Sequence, residues 1–270
     1  MLTLAARDVR LGEAELAVAV GLDKHPRGAF GGPDTSVAGL PQWYGDQGMF
    51  LTTHYFGYKI ARYMHDHGIT ERTLAMIAEK NFSNGGALAT HAWRRKPMTA
   101  DAILSSPLVN APLRQYMYCN PNEGAAAVVV CAADVAKKKY NPTPPIYLRA
   151  SALRSRRAGS FELMRTSIEL PIIPGTTAEA SAAAYEEAGI GPEDVDIAQL
   201  QDTDAGSEAI HMAETGLCKD GEQEQMIAEG ATSIGGRIPI NTDGGLIANG
   251  EPIGGVGPAA NLRAGAPAAR

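Results

Sequence analysis

The stretch from Asn241 to Gly257 reads Asn-Thr-Asp-Gly-Gly-Leu-Ile-Ala-Asn-Gly-Glu-Pro-Ile-Gly-Gly-Val-Gly and holds six glycines and one proline in 17 positions. Glycines at that density let backbone approach a ligand and take positive φ, and the N–H groups of such a loop can hold an oxyanion. The same composition also describes a set of tight turns. Three cysteines, Cys119, Cys131 and Cys218, lack Cys-x-x-Cys spacing, which argues against a zinc knuckle or a disulfide framework. Each reads as a small buried hydrophobe rather than a reactive thiolate. His65 and His67 stand two apart, on different sides of a helix, so no metal site is expected. His91, Arg94 and Arg95 read as a solvated basic face rather than a phosphate clamp.

The elements that must position such groups alternate between helix and strand. Leu2 to Gly12 has helical spacing and a glycine stop, and Ala17-Val-Ala-Val20 reads as a buried strand ending at Gly21. Gly21 to Tyr55, rich in glycine, proline and aromatics, is a long irregular excursion. Leu51 to His67 is helical and stops at Gly68; Thr70 caps a second helix through Leu74, Ile77 and Ala78, and a polar segment follows from Asn81 to Lys96. Gly124 to Cys131 reads as a strand buried in the middle of a sheet. Lys137 to Pro145 is the best linker candidate. Beyond it, Ile146-Tyr-Leu148 and Val195 to Leu200 are strand candidates, while about 177–189 and Ala205 to Gly216 are helical. The pattern predicts an α/β fold with helices layered on sheets.

Three segments, in order, resemble the thiolase superfamily. Gly244, Gly245, Gly250, Pro252, Gly254 and Gly257 fall in register with its C-terminal signature G-G-x-x-x-x-G-H-P-x-G-A-S-G. Ala5 to Lys24 is similar to the helix and strand that follow the family's nucleophilic cysteine, and Tyr118 to Val130 resembles the last strand of its N-terminal domain. The branch it looks most like is that of sterol-carrier-protein-type thiolases and bacterial lipid-transfer-protein enzymes. The resemblance implies a layered αβαβα fold of two similar halves. It divides the chain into 1–136, the remainder of an N-terminal domain with a loop-domain insertion at about 25–115, a linker at 137–145, a C-terminal domain at 146–257 and a low-complexity tail at 258–270. It also implies a chain incomplete at both ends, because thiolases place their cysteine ahead of the helix in which this sequence begins.

Two residues acquire roles through that resemblance. Gln201 stands where the family has the His or Asn of its oxyanion site; its amide can donate to a thioester oxygen but cannot carry a proton. Glu251 replaces the His of Gly-His-Pro, and a carboxylate there can act as a base. The glycines Gly244, Gly245, Gly250 and Gly254 are implied to approach a coenzyme A thioester, which enters as substrate with no bound cofactor. Residues 30–55 correspond to the start of the loop domain that helps hold coenzyme A. The expected activity is acyl transfer, thiolysis or retro-aldol C–C cleavage on acyl-CoA esters of lipid or steroid side chains. The alternative is a non-catalytic CoA-ester-binding or partner subunit. A homodimer, or a hetero-oligomer with a thiolase-associated protein, is implied.

Composition limits the other classes. A formal charge of −6 offers no footprint for nucleic acid. No apolar run reaches the roughly 20 residues of a membrane-spanning helix. With 44% apolar residues the chain can bury a core, and its few cysteines fit a reducing cytoplasm.

Overall fold

A computed structural model describes residues 1–24, 42–46, 52–88, 96–140, 144–155 and 175–252. Their main elements run α1 (Leu2–Arg10), β1 (Leu16–Asp23), α2 (Gln42–Asp46), α3 (Thr52–His67), α4 (Glu71–Leu88), α5 (Ala100–Leu104), β2 (Leu108–Asn110), β3 (Leu113–Arg114), β4 (Gly124–Cys131), α6 (Ala133–Val135), α7 (Thr176–Ala188), α8 (Ala205–Glu214), α9 (Gln223–Ala228) and α10 (Gly245–Asn249). Left-handed glycines end three of the helical segments: Gly12 at φ 77°, Gly68 at φ 73° and Gly189 at φ 69°. Asp204 caps α8 by accepting from Ser207 N at 2.9 Å.

β1 pairs antiparallel with β4, Leu16 opposite Cys131 and Val20 opposite Ala127, and α1 packs on this ribbon. Both strands were expected to be buried, and the structure corrects that expectation. Only Ala19 of β1 is buried, while Leu16, Val18, Val20, Leu22 and Val129 are exposed. The physical reason is coverage: the two strands pair only with each other among the described residues, and α1 leaves the apolar outer face bare.

The main core lies elsewhere. Ile60 of α3, Leu74, Ile77 and Phe82 of α4, Ile103 of α5 and Met117 close against Met212 of α8, Ile240 and Ile247 of α10. All of these are essentially inaccessible to water, and each such side chain contributes roughly 1.5–3 kcal/mol on burial. This cluster draws on both sides of the 137–145 segment. Helix α4 is its centre, packing on α5, α8, α9 and α10.

Helix α4 also runs further than its apolar pattern predicts. The polar segment expected from Asn81 is helical to Leu88, and Asn81 and Asn84 are buried. Their partners explain the burial: Asn81 Nδ2 donates to Asp202 Oδ2 and Glu208 Oε2, and Asn84 Nδ2 donates to the Asn241 carbonyl at 3.0 Å. Ile146 to Leu148 forms no strand; the three residues are exposed and find no pairing edge among the described residues. Within 195–200, pairing reduces to a single parallel bridge between Ala198 and Ile240.

Candidate functional site

The site begins with an extended tetrapeptide. Side chains on extended backbone alternate sides, so Gln201-Asp202-Thr203-Asp204 sends its two acids one way and its two neutral residues the other. Asp202 and Asp204 are buried, whereas Gln201 is exposed and Thr203 half-buried. This segment lies against the approach to β4: Cys119 N donates to Thr203 O at 2.9 Å, and Tyr118 bridges Asp204. A second contact comes from the glycine-rich stretch, where Glu251 N donates to Asn120 O at 2.8 Å. Three chain segments far apart in sequence therefore meet at one place.

Gln201 and Glu251, both expected at the site from sequence, are brought together. Gln201 Nε2 lies 3.3 Å from Glu251 Oε1 and 3.2 Å from Thr203 Oγ1, and the Thr203 hydroxyl donates to the same Oε1 at 3.1 Å. The other carboxylate oxygen, Oε2, accepts from Cys119 Sγ at 3.2 Å. Three donors from two segments thus fix the Glu251 carboxylate in position. Sequence reasoning missed Thr203 and Cys119. The two-residue spacing from Gln201 to Thr203 carried the signal for the first; nothing local signalled the second, whose partner is 132 residues away. Cys119 is buried, as expected, but it is hydrogen-bonded to Glu251 rather than packed as an inert hydrophobe.

The loop leading to Glu251 is held from behind. Asp202 Oδ1 accepts from Leu246 N at 2.6 Å and Oδ2 from Ile247 N at 3.2 Å, so this carboxylate takes the first free N–H groups of α10. Burial, then the Glu208 charge, pushes the Asp202 carboxyl well above its ordinary range; burial likewise raises Asp204. Lys80 reaches Glu208 Oε1 and the Ile240 carbonyl at 3.0 Å, which gives the buried cluster a cation. Gly244 at φ 100° and Gly245 at φ 57° sit where a side chain has no room: a Cβ on Gly244 would come within 2.7 Å of Asn81 O, and one on Gly245 would strike the Asp202 carboxylate. Gly250 at φ 79° is similarly closed off by Asn122. In this structure the close approach at these glycines is to protein groups. Gly254, His91, Arg94, Arg95, residues 30–41 and the tail from 258 lie outside the described residues.

Among the described residues no group of three or more His, Cys, Asp and Glu side chains is arranged to hold a metal ion. No described helix is long and apolar enough to cross a membrane.

Residues 167–260 match the thiolase C-terminal domain-like family. The chain is 32% identical over 258 residues to the benzoylsuccinyl-CoA thiolase subunit BbsB of Thauera aromatica, covering 95% of this chain and 64% of that protein. It is 29% identical over 250 residues to an acetyl-CoA acetyltransferase of Methanothermobacter thermautotrophicus, covering 92% and 63%. It is 26% identical over 264 residues to human sterol carrier protein 2, covering 95% and 48%. The chain therefore spans less than two thirds of the length of these relatives. Among solved structures, an Ltp2-ChsH2(DUF35) aldolase superposes with a TM-score of 0.79 at 25% identity, over 97% of this chain and 67% of that one. Residues 167–260 are a thiolase C-terminal-like domain, and the chain has an α/β fold of the thiolase type and is similar to thiolase-family proteins along nearly its whole length.

Proposed function

We propose that the chain acts on acyl-CoA thioesters and makes or breaks the C–C bond beside the thioester carbonyl, with Glu251 as the proton-transferring group. The observation that carries this reading is the Glu251 carboxylate itself, half-buried and held by Gln201, Thr203 and Cys119 at the junction of three segments. Retro-aldol cleavage needs a base for the β-hydroxyl proton and a donor near the thioester oxygen. Glu251 supplies the first; Gln201, exposed at the edge of the cluster, supplies the second by turning its amide to the substrate. Gly244, Gly245 and Gly250 shape the loop that carries Glu251 to the thioester. The structural neighbour's being an aldolase supports C–C cleavage, and the CoA names of the relatives support the substrate class. The acyl group is of the lipid or steroid side-chain kind, by likeness to the sterol carrier proteins.

Thiolysis by an acyl-enzyme is the competing chemistry. The two separate by experiment: with a 3-hydroxyacyl-CoA, the retro-aldol reading predicts an aldehyde or ketone and a shortened acyl-CoA without added coenzyme A. Glu251→Gln should lower kcat by about 100-fold or more, in the range for loss of a general base. Cleavage that requires free coenzyme A, or a covalent acyl adduct on the intact protein, would overturn it. A second reading, a CoA-ester-binding partner subunit, is favoured by the Thauera relative's being a thiolase subunit and by the two-component name of the Ltp2-ChsH2(DUF35) aldolase. Binding of the CoA ester without turnover, alone or with a partner present, would select that reading. Assembly as a homodimer or with a thiolase-associated protein, in the reducing cytoplasm that so few cysteines suit, completes the proposal.

A further inference from the structure

We propose that Cys119 and Glu251 form a proton-carrying pair, in which Glu251 takes the proton from the substrate's β-hydroxyl and Cys119 delivers its own to the α-carbon released by C–C cleavage. The inference rests on the retro-aldol reading above and assigns that reaction a second catalytic residue. Its basis is geometric. Cys119 Sγ lies 3.2 Å from Glu251 Oε2, and their segments are tied directly by Glu251 N to Asn120 O at 2.8 Å, while Cys119 N donates to Thr203 O at 2.9 Å. The sulfur is thus fixed against one carboxylate oxygen while Gln201 and Thr203 occupy the other.

A second observation lies on the same two segments. Asn122 Nδ2 donates to Asn249 O at 3.1 Å, yet Asn122 Oδ1 and Asn249 Oδ1 are buried and accept nothing from the protein. Asn249 as a whole is 6% exposed. Buried amide oxygens without a donor are costly in an empty protein and are satisfied by a ligand N–H or O–H or by water. They stand three and two residues along the chain from Cys119 and Glu251, on the two segments that the Glu251 N to Asn120 O bond ties together.

The proton balance closes within the pair. The β-hydroxyl O–H breaks and its proton moves to Glu251; the oxygen electrons form the new C=O, and the Cβ–Cα bond breaks with its electrons moving into a thioester enolate. The Cys119 S–H then breaks, the Cα–H bond forms and the electron pair stays on sulfur. Finally the proton on Glu251 crosses the 3.2 Å hydrogen bond to the thiolate. That last transfer restores the Cys119 thiol and the Glu251 carboxylate. The pair ends as it began, no oxidant or reductant is consumed, and the hydroxyl proton has been exchanged for one on the α-carbon. A sulfur that keeps its proton by donating it to a carboxylate is a general acid here, not the attacking nucleophile.

The test uses the full chain with its partner subunit where one is required, 3-hydroxybutyryl-CoA as cleavage probe, and acetyl-CoA in D2O as an exchange probe followed by NMR of its methyl protons. Wild type should cleave the first and exchange deuterium into the second. Cys119→Ala should lower kcat and the exchange rate by about 100-fold with KM within about twofold. Cys119→Ser keeps a hydrogen-bond donor to Glu251 but is a much weaker acid, so its exchange should remain at least tenfold below wild type. Wild-type exchange in Cys119→Ser would make the residue a positioning contact and overturn the pair, as would an acyl adduct on Cys119 detected by mass. If wild type cleaves and Cys119→Ala cleaves and exchanges equally well, the pair fails while the retro-aldol reading stands. If wild type neither cleaves nor exchanges, both fail.

Discussion

Asn81 of α4 donates to Asp202 Oδ2 at 2.9 Å, so a helix from the first third of the chain holds the segment that presents Gln201. The same Nδ2 reaches Glu208 Oε2 at 2.7 Å, and Asn81 is completely buried between the two acids. Removing the donor leaves two buried carboxylates each short of a hydrogen bond, and an unmet buried acceptor costs about 1–3 kcal/mol. Asn81→Leu should therefore destabilise the chain by about 3 kcal/mol, read as a lowered urea midpoint with unchanged slope. Asn84→Ala loses one bond to a backbone carbonyl and should cost about 1 kcal/mol. Equal losses for the two would mean that the acids do not depend on Asn81.

Asp202 should also make stability pH-dependent. Its folded carboxyl is raised, first by burial and then by the Glu208 charge, above an unfolded value near about 4. For a raised group the folded state binds the extra proton. The stability it contributes is complete below the unfolded value and is lost as pH rises through the folded one. Asp202→Asn removes this titration and adds a pH-independent loss of acceptor capacity toward Leu246 N, Ile247 N and Asn81. The stability advantage of wild type over the variant should shrink as pH rises above the ordinary carboxylate range. An advantage that grows over that range would reverse the sign argued for Asp202.

Much of the framework was legible because it is local. The ends of α1, α3 and α7 are set by glycines that take positive φ, and the start of α8 by an aspartate that caps its own helix. What could not be read depends on partners far along the chain. The second half of α4 looks like loop until Asp202, Glu208 and Asn241 are placed against its asparagines. The bare face of β1 and β4 has the same apolar residues as a buried strand, and only the coverage differs. At the site, Glu251 is legible from the fixed spacing of the glycine signature and Gln201 from its likeness to the family's oxyanion position after the 195–200 segment, and they meet. Cys119 was not, because a single cysteine before a strand carries no sign of a carboxylate brought to it by folding.

The glycines offer a sharper comparison. Gly12 and Gly245 both take positive φ, at 77° and 57°, but a Cβ on Gly12 meets nothing whereas one on Gly245 runs into the Asp202 carboxylate. Gly12→Ala should cost only the left-handed backbone penalty of about 1–2 kcal/mol. Gly245→Ala adds a clash with a group that three donors hold in place, so its loss should exceed that of Gly12→Ala by about 2 kcal/mol and carry Glu251 out of position. Thermal midpoints of the two variants, together with acyl-CoA turnover, check this. A Gly245→Ala protein as stable as Gly12→Ala would show that the Asp202 contact yields easily.

Helix α8 crosses α3 at Gly206, where an added Cβ would collide with the Ile60 side chain. Ile60 is 1% exposed and sits in the main core, so neither the helix nor the isoleucine has free volume to retreat into. Overpacking of this kind costs about 1–3 kcal/mol. Gly206→Ala should fall in that range, despite alanine's better helix propensity. Ile60→Val removes one of the atoms in the collision and alone should cost about 1 kcal/mol. If the crossing is limited by this contact, the double variant should be more stable than the sum of the two losses predicts, by at least about 0.5 kcal/mol in a double-mutant cycle of urea midpoints. Strict additivity would mean that α8 shifts along α3 to make room. Because Asp202 to Asp204 lead directly into α8, such a shift would then appear as a weakened Cys119 to Glu251 junction.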